Sequence, residues 1–242
     1  MIVIEVFLLS LVASFIQRTT GFGFGIFIMT LLPFVMPSYP EATTLSGLLA
    51  MTTSLYVTLL FRKYISWKRL LPILTVFMIV STVSVFMLGK IESVMMHLIL
   101  GGVLILTSLY FIFFSNRIKI RPNLATQVTL GTLSGLMGGF FSMQGPPAVL
   151  YFVASEEDKN HYMGMVQCYF LLGNMALTVT RAVNGFVTAD VFRCYLYGLG
   201  GLIIGNWIGT KVFNLIPNKL FRMIVYSYIG ISGLIVIITA LS

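Results

Sequence analysis

Gly21-Phe22-Gly23-Phe24-Gly25 and Ser142-Met143-Gln144-Gly145-Pro146-Pro147 decide how this chain is read. Each interrupts a stretch that is otherwise apolar enough to enter a membrane. Glycine adds backbone freedom and proline removes an N–H, so both weaken or end a helix. Lipid cannot satisfy the backbone groups freed at a break. Irregular backbone at membrane depth must therefore be buried in protein or line a watery cavity. Two such breaks, in corresponding places of two similar halves, point to a transporter's substrate site.

The composition around the breaks supports a membrane setting. Of 242 residues, 58% are hydrophobic and 9% charged, and the mean hydropathy is +0.98. A soluble domain carries about a quarter charged residues. The chain reads as an integral membrane protein with almost nothing outside the bilayer. That excludes a soluble catalytic or nucleic-acid-binding domain. The net charge of +8 comes from basic residues gathered in short loops, as the positive-inside rule expects. The N-terminus is apolar from Met1 and carries Glu5 without a basic n-region, unlike a cleaved signal peptide. Cys168 and Cys194 lie in separate apolar segments and read as small core residues. With no CxxC or HExxH spacing, no metal and no cofactor are expected.

Apolar segments run roughly over 2–17, 22–36, 43–61, 70–88, 94–115, 124–141, 146–154, 161–183, 190–210 and 219–241. A full span needs about 20 residues. Six segments qualify, and the four shorter ones form two pairs, each joined at a break. The order is broken element, three spans, basic linker at 116–123, broken element, three spans. The expected units are thus 1–115 and 124–242. They align at an offset of about 122 residues. Gly23 then falls on Gly145, Leu55-Tyr56-Val57-Thr58 on Leu177-Thr178-Val179-Thr180, and Ile65-Ser66 on Val187-Thr188.

Loop charge sets the expected topology. Arg62, Lys63, Lys68 and Arg69 form one basic loop; Arg117, Lys119 and Arg121 form a second; Lys211, Lys219 and Arg222 flank a third. All three share one side only if each broken element enters and returns as a hairpin. Each half then crosses an odd number of times, and the halves are inverted. The predicted fold is all-α: a polytopic membrane protein of two inverted repeats, each with one re-entrant broken element and three transmembrane helices.

These residues resemble a family. Gln17-x-x-x-Gly21-Phe22-Gly23-Phe24-Gly25, Pro33 and Ile65-Ser66-Trp67-Lys68 look like the first half of the TauE/SafE sulfite exporter family. Gly131-x-x-Ser134-Gly135-x-x-Gly138-Gly139, Gln144-Gly145-Pro146-Pro147-x-x-x-Tyr151 and Gly200-Gly201-x-x-x-Gly205-x-x-x-Gly209 look like the second. The resemblance implies a 4+4 repeat in the cell membrane that exports sulfite or sulfur-containing organic anions. Arg18 and the run His161-Tyr162-Met163 depart from the family's pattern.

Arg18 is the leading substrate-site candidate. It lies about halfway along the first broken element, beside Gln17, Thr19 and Thr20. A charge at membrane depth usually faces a cavity or a partner, and a guanidinium suits an oxyanion. The competing reading is a snorkelling anchor, or a partner of Glu5. A half-helix opening near Gly21, at Gly21 and Gly23, would add free N–H groups. Ser142, Gln144 and Gly145 are the second-half counterparts, for binding or for capping the break. Asn174 lies deep in its span and could face the cavity. Arg181, near the end of the same span, reads more readily as a snorkelling anchor. Asn206 and the surrounding glycines read as packing contacts.

The expected partners are a small anion and the lipid bilayer, with a homodimer as the one assembly left open. The alternatives are an anion channel, which needs a continuous polar pore, and a protein with a non-sulfur anionic substrate. A membrane enzyme is disfavoured, because His97 and His161 stand alone and no nucleophile–base or paired-carboxylate set exists.

Overall fold

Three polar residues fix where three of the long helices begin. The Ser38 hydroxyl accepts from the Glu41 N–H, and Pro40 follows where its missing N–H costs nothing. Asn123 and Thr126 form a reciprocal capping box. The Asp158 carboxylate accepts from the N–H groups of Asn160 and His161.

The computed structural model describes residues 2–110, 113, 121–156, 158–212, 231, 234, 237 and 238. The side chains of Thr20, Ser93 and Lys159 fall outside that description, as do most of the linker, Lys219, Arg222 and nearly all of the expected span 219–241. The first half comprises α1 (Ile2–Thr20), the short α2 (Phe24–Ile28) and α3 (Leu32–Val35), then α4 (Tyr39–Phe61), α5 (Trp67–Leu88) and α6 (Ser93–Leu109). The second comprises α7 (Leu124–Phe141), α8 (Gly145–Ser155), α9 (Lys159–Val183) and α10 (Ala189–Val212). Regular structure among the described residues is helical. Among the described residues four helices, α1, α4, α5 and α9, are long and apolar enough to cross a membrane. Leu59, Ile79, Leu106, Val179 and Ile203 point outward from them and their neighbours, as lipid-facing residues must. The chain is an all-helical polytopic membrane protein.

Packing follows small residues. α1 lies along α10, and α5 along α7. Gly201, Gly205 and Gly209 face Phe7, Leu11 and Phe15 in turn, so α1 and α10 run in the same direction. Gly131, Gly135 and Gly139 likewise face Ile73, Phe77 and Ser81, so α5 and α7 run together. A Cβ at Gly201 or Gly205 would strike a backbone carbonyl of α1. These glycines are what lets the helix axes approach.

The central pair, α4 and α9, is antiparallel: Thr43 lies beside Arg181 and Phe61 beside Gly164. α1 runs with α4, since Ser10 and Leu49 both meet Gly198 while Gln17 bonds Ser54. α7 runs with α9, since Ser134 meets Tyr169 and Gly138 meets Arg181. The chain must therefore come back through 21–38 and through 142–158. α1 extends to Thr20, beyond the apolar segment 2–17, because its polar residues find helical partners. The Thr19 hydroxyl bonds the Phe15 and Ile16 carbonyls at 2.9 Å each.

Candidate functional site at the meeting of the breaks

The first break turns on two glycines with left-handed backbone, Gly21 at φ 85° and Gly23 at φ 100°. α1 closes with the Gly21 N–H on the Gln17 carbonyl at 2.8 Å. The helix after this break starts at Phe24 and has five residues, so the dipole expected from Gly21 onward is small. In the second break the left-handed residue is Ser142, at φ 58°, rather than a glycine. Gly145 is instead the first residue of α8. The two breaks touch. A Cβ on Gly25 would collide with the Ser142 carbonyl, whereas one on Gly145 would meet Phe22 and Phe170 at an ordinary 3.7 and 3.8 Å.

A tight cavity lies between the breaks, with about 20 Å³ of room for the centre of a water-sized sphere. Its polar lining is Gln17, Ser54, Ser142, Gln144 and Asn174, and no lining residue is charged. On one side Gln17 Nε2 donates to Ser54 Oγ and to Gln167 Oε1, both at 3.3 Å. Gln167 Nε2 in turn donates to the Gly21 carbonyl at 2.8 Å, which ties α9 to the first break. On the other side Gln144 Nε2 donates to Asn174 Oδ1 at 3.0 Å. Gln144 Oε1 and Asn174 Nδ2 are buried and have no partner among the described residues. A buried polar group left unpaired costs about 1–3 kcal/mol, so this pair is incomplete as it stands.

Arg181 sits one layer behind this wall and is fully buried. Its Nη1 donates to the Thr43 carbonyl at 2.9 Å and to Ser142 Oγ at 3.3 Å. Its Nη2 reaches the Gly138 and Gly139 carbonyls at 3.1 and 3.4 Å. Those carbonyls close α7, so the cation caps the negative end of the broken helix. Among the described residues no carboxylate pairs with it, and its Nε has no partner. Ser142 Oγ accepts from Arg181, and its own proton has no acceptor among the described residues. That hydroxyl is a donor available to the cavity and polarised by the guanidinium behind it.

Six of the expected site residues line this cavity: Gln17, Gly23, Ser142, Gln144, Gly145 and Asn174. Gly21 contributes its carbonyl to Gln167 rather than to the cavity wall. Thr19 is buried, with its hydroxyl turned back on α1. Arg18 points away from the cavity, and its Nε donates to Thr210 on α10 at 2.9 Å. Sequence reasoning missed Ser54, Gln167 and the place of Arg181. The polar run of α4 carried a signal: Thr43, Thr44, Ser46, Thr53 and Ser54 are all buried.

Comparison with curated proteins and with solved structures gave no match. A family model described as sulfite exporter TauE/SafE matches residues 6–236. With nearly the whole chain matched, from α1 through both breaks and beyond α10, this protein belongs to the TauE/SafE sulfite exporter family.

Proposed function

We propose that this protein carries a small sulfur oxyanion, such as sulfite or an organosulfonate, out through the cell membrane by alternating access. The observation that carries this reading is Arg181, a fully buried cation with no carboxylate partner among the described residues, behind a polar cavity where two helix breaks meet. A charge at membrane depth is costly and tends to mark a substrate path. An anion in the cavity would complete it, taking hydrogen bonds from Ser142 and the free amide end of the Gln144–Asn174 pair. The family's description as sulfite exporters supports the substrate class.

The moving parts in this proposal are two inverted repeats, 1–115 and 124–242, joined by the linker 116–123. Helix placement supports it. α1, α4 and α5 recur as α7, α9 and α10 at an offset of about 122 residues. α5 runs with α9, as Phe77 meets Gly173 and Gly89 meets Phe186. α10 runs with α4, as Glu41 meets Thr188 and Leu49 meets Gly198. Each helix thus opposes its counterpart. Rocking of one repeat against the other would open the cavity to either side. The small volume of the cavity where the breaks meet favours this over a channel, which needs a continuous pore.

The test is flux of radiolabelled sulfite into proteoliposomes holding the purified protein. The expected result is saturable flux that accelerates when unlabelled sulfite is loaded on the opposite side. Linear flux without that acceleration would indicate a channel. No flux of any sulfur oxyanion would overturn the reading.

A further inference from the structure

The cavity's polar groups are not those of a general anion site. Gln144 and Asn174 hydrogen-bond to each other, and both are at least nine-tenths buried. Each amide has a donor end and an acceptor end. Whichever way the two are turned, one bond between them leaves one whole NH2 end and one C=O end without a partner among the described residues. The pair that lines the cavity therefore keeps an unsatisfied acceptor in either orientation. An acceptor facing a bare anionic oxygen is repelled and remains unpaired; one facing an O–H is satisfied. The charge count agrees. No lining residue is charged, and Arg181 is the cation that touches the lining, through Ser142. One buried positive charge offsets one negative charge and leaves a second uncompensated.

We propose that this cavity selects a singly charged sulfur oxyanion that still carries a hydrogen-bond donor, such as hydrogensulfite or a small hydroxysulfonate. It discriminates against dianions and against monoanions without a donor. The proposal rests on the transport reading above and narrows its substrate. In it, Ser142 Oγ–H and the free amide N–H hold the anionic oxygens, and the free amide C=O receives the ligand's O–H. A site built to bond a substrate hydroxyl rejects the analogue lacking it, because its own polar group is then stranded.

The experiment is competition against radiolabelled sulfite bound to the purified full-length protein in lipid nanodiscs. Hydroxymethanesulfonate and ethanesulfonate are near-isosteric monoanions that differ by O–H against CH₃. Hydroxymethanesulfonate should compete at about tenfold lower concentration or better. Sulfate, a dianion without a proton, should compete worst. Equal competition by the isosteric pair would overturn the proposal and leave the transport reading intact. Failure to bind sulfite at all would overturn both. In a second measurement, Gln144→Met combined with Asn174→Leu removes both amides, and the ratio between the pair should fall to within about twofold. A ratio unchanged in that variant would show that other groups read the hydroxyl.

Discussion

Arg181 and Arg18 exchange the places that linear distance gives them. Arg18 lies midway along a broken segment, and Arg181 lies at the end of a full span. Depth counted along the chain therefore favours Arg18 as ligand. What overrides the count is a tertiary meeting: α7 stops short at Ser142, and the end of α9 passes beside its last carbonyls. No spacing within either helix records that encounter. Arg181→Gln should weaken anion binding about tenfold or more, because the anion loses the buried charge that offsets its own. It should also lower thermal stability, because the Thr43, Gly138 and Gly139 carbonyls lose a charged donor. Arg181→Lys should not restore binding, because one ammonium cannot reach the Thr43, Gly138 and Gly139 carbonyls together. Arg18→Ala should stay within about 0.5 kcal/mol of the parent in binding, as expected for a side chain outside the site. Sulfite-binding isotherms of the three purified variants check this set.

The helices and their ends were legible from apolar length and from Gly, Pro, Ser, Asn and Asp placement, because capping and breaking are local physics. How the breaks pack was not, because it depends on partners more than a hundred residues away. Gly23 and Gly145 align in sequence but differ in need. Gly23 adopts a left-handed backbone, whereas Gly145 is helical with room for a methyl group. At the meeting of the breaks, Gly25 has no room for a Cβ, which would strike the Ser142 carbonyl. Gly25→Ala should abolish transport or folding, and Gly145→Ala should keep most of both, measured as flux per folded protein. The start of α9 should respond to acid. The backbone N–H of His161 foremost, then its side chain and the Asn160 N–H, hold the Asp158 carboxyl below its usual range. A depressed carboxylate pKa means the cap is present at neutral pH and is lost as pH falls through that lowered value. Amide exchange at Asn160 and His161 should rise on acidification, and Asp158→Asn should flatten the response.

Across the whole molecule the helix directions gather the basic residues. α4 and α10 end, and α5 and α7 begin, on one face. Arg62, Lys63, Lys68, Arg69, Arg121 and Lys211 therefore lie together, with Arg18 at the end of α1. The opposite face holds Glu41, Glu92 and Asp190 with Lys90 and Arg193. On the positive-inside rule the first face is expected to be the cytoplasmic one. This arrangement follows from α1 running with α4 and α7 running with α9. Single cysteines at Lys63 and Arg121 should resist an impermeant thiol reagent in intact cells, while one at Lys90 should react. Cys168 and Cys194 are buried and should contribute little background. Labelling at both Arg121 and Lys90 would contradict the topology.

Ser142 offers the most direct measurement of whether the meeting of the breaks is an anion site. It is the one described non-glycine residue with left-handed backbone, and its hydroxyl stands between Arg181 and the cavity. Ser142→Gly relieves the backbone and deletes the hydroxyl in a single change. A structural role and a binding role then give different results. Sulfite affinity and thermal stability should be measured on the same purified variant. Stability should be kept while affinity falls about tenfold, the loss expected for a hydrogen bond to a charged ligand. Unchanged sulfite affinity in a stable Ser142→Gly protein would contradict the assignment of this cavity as the anion site.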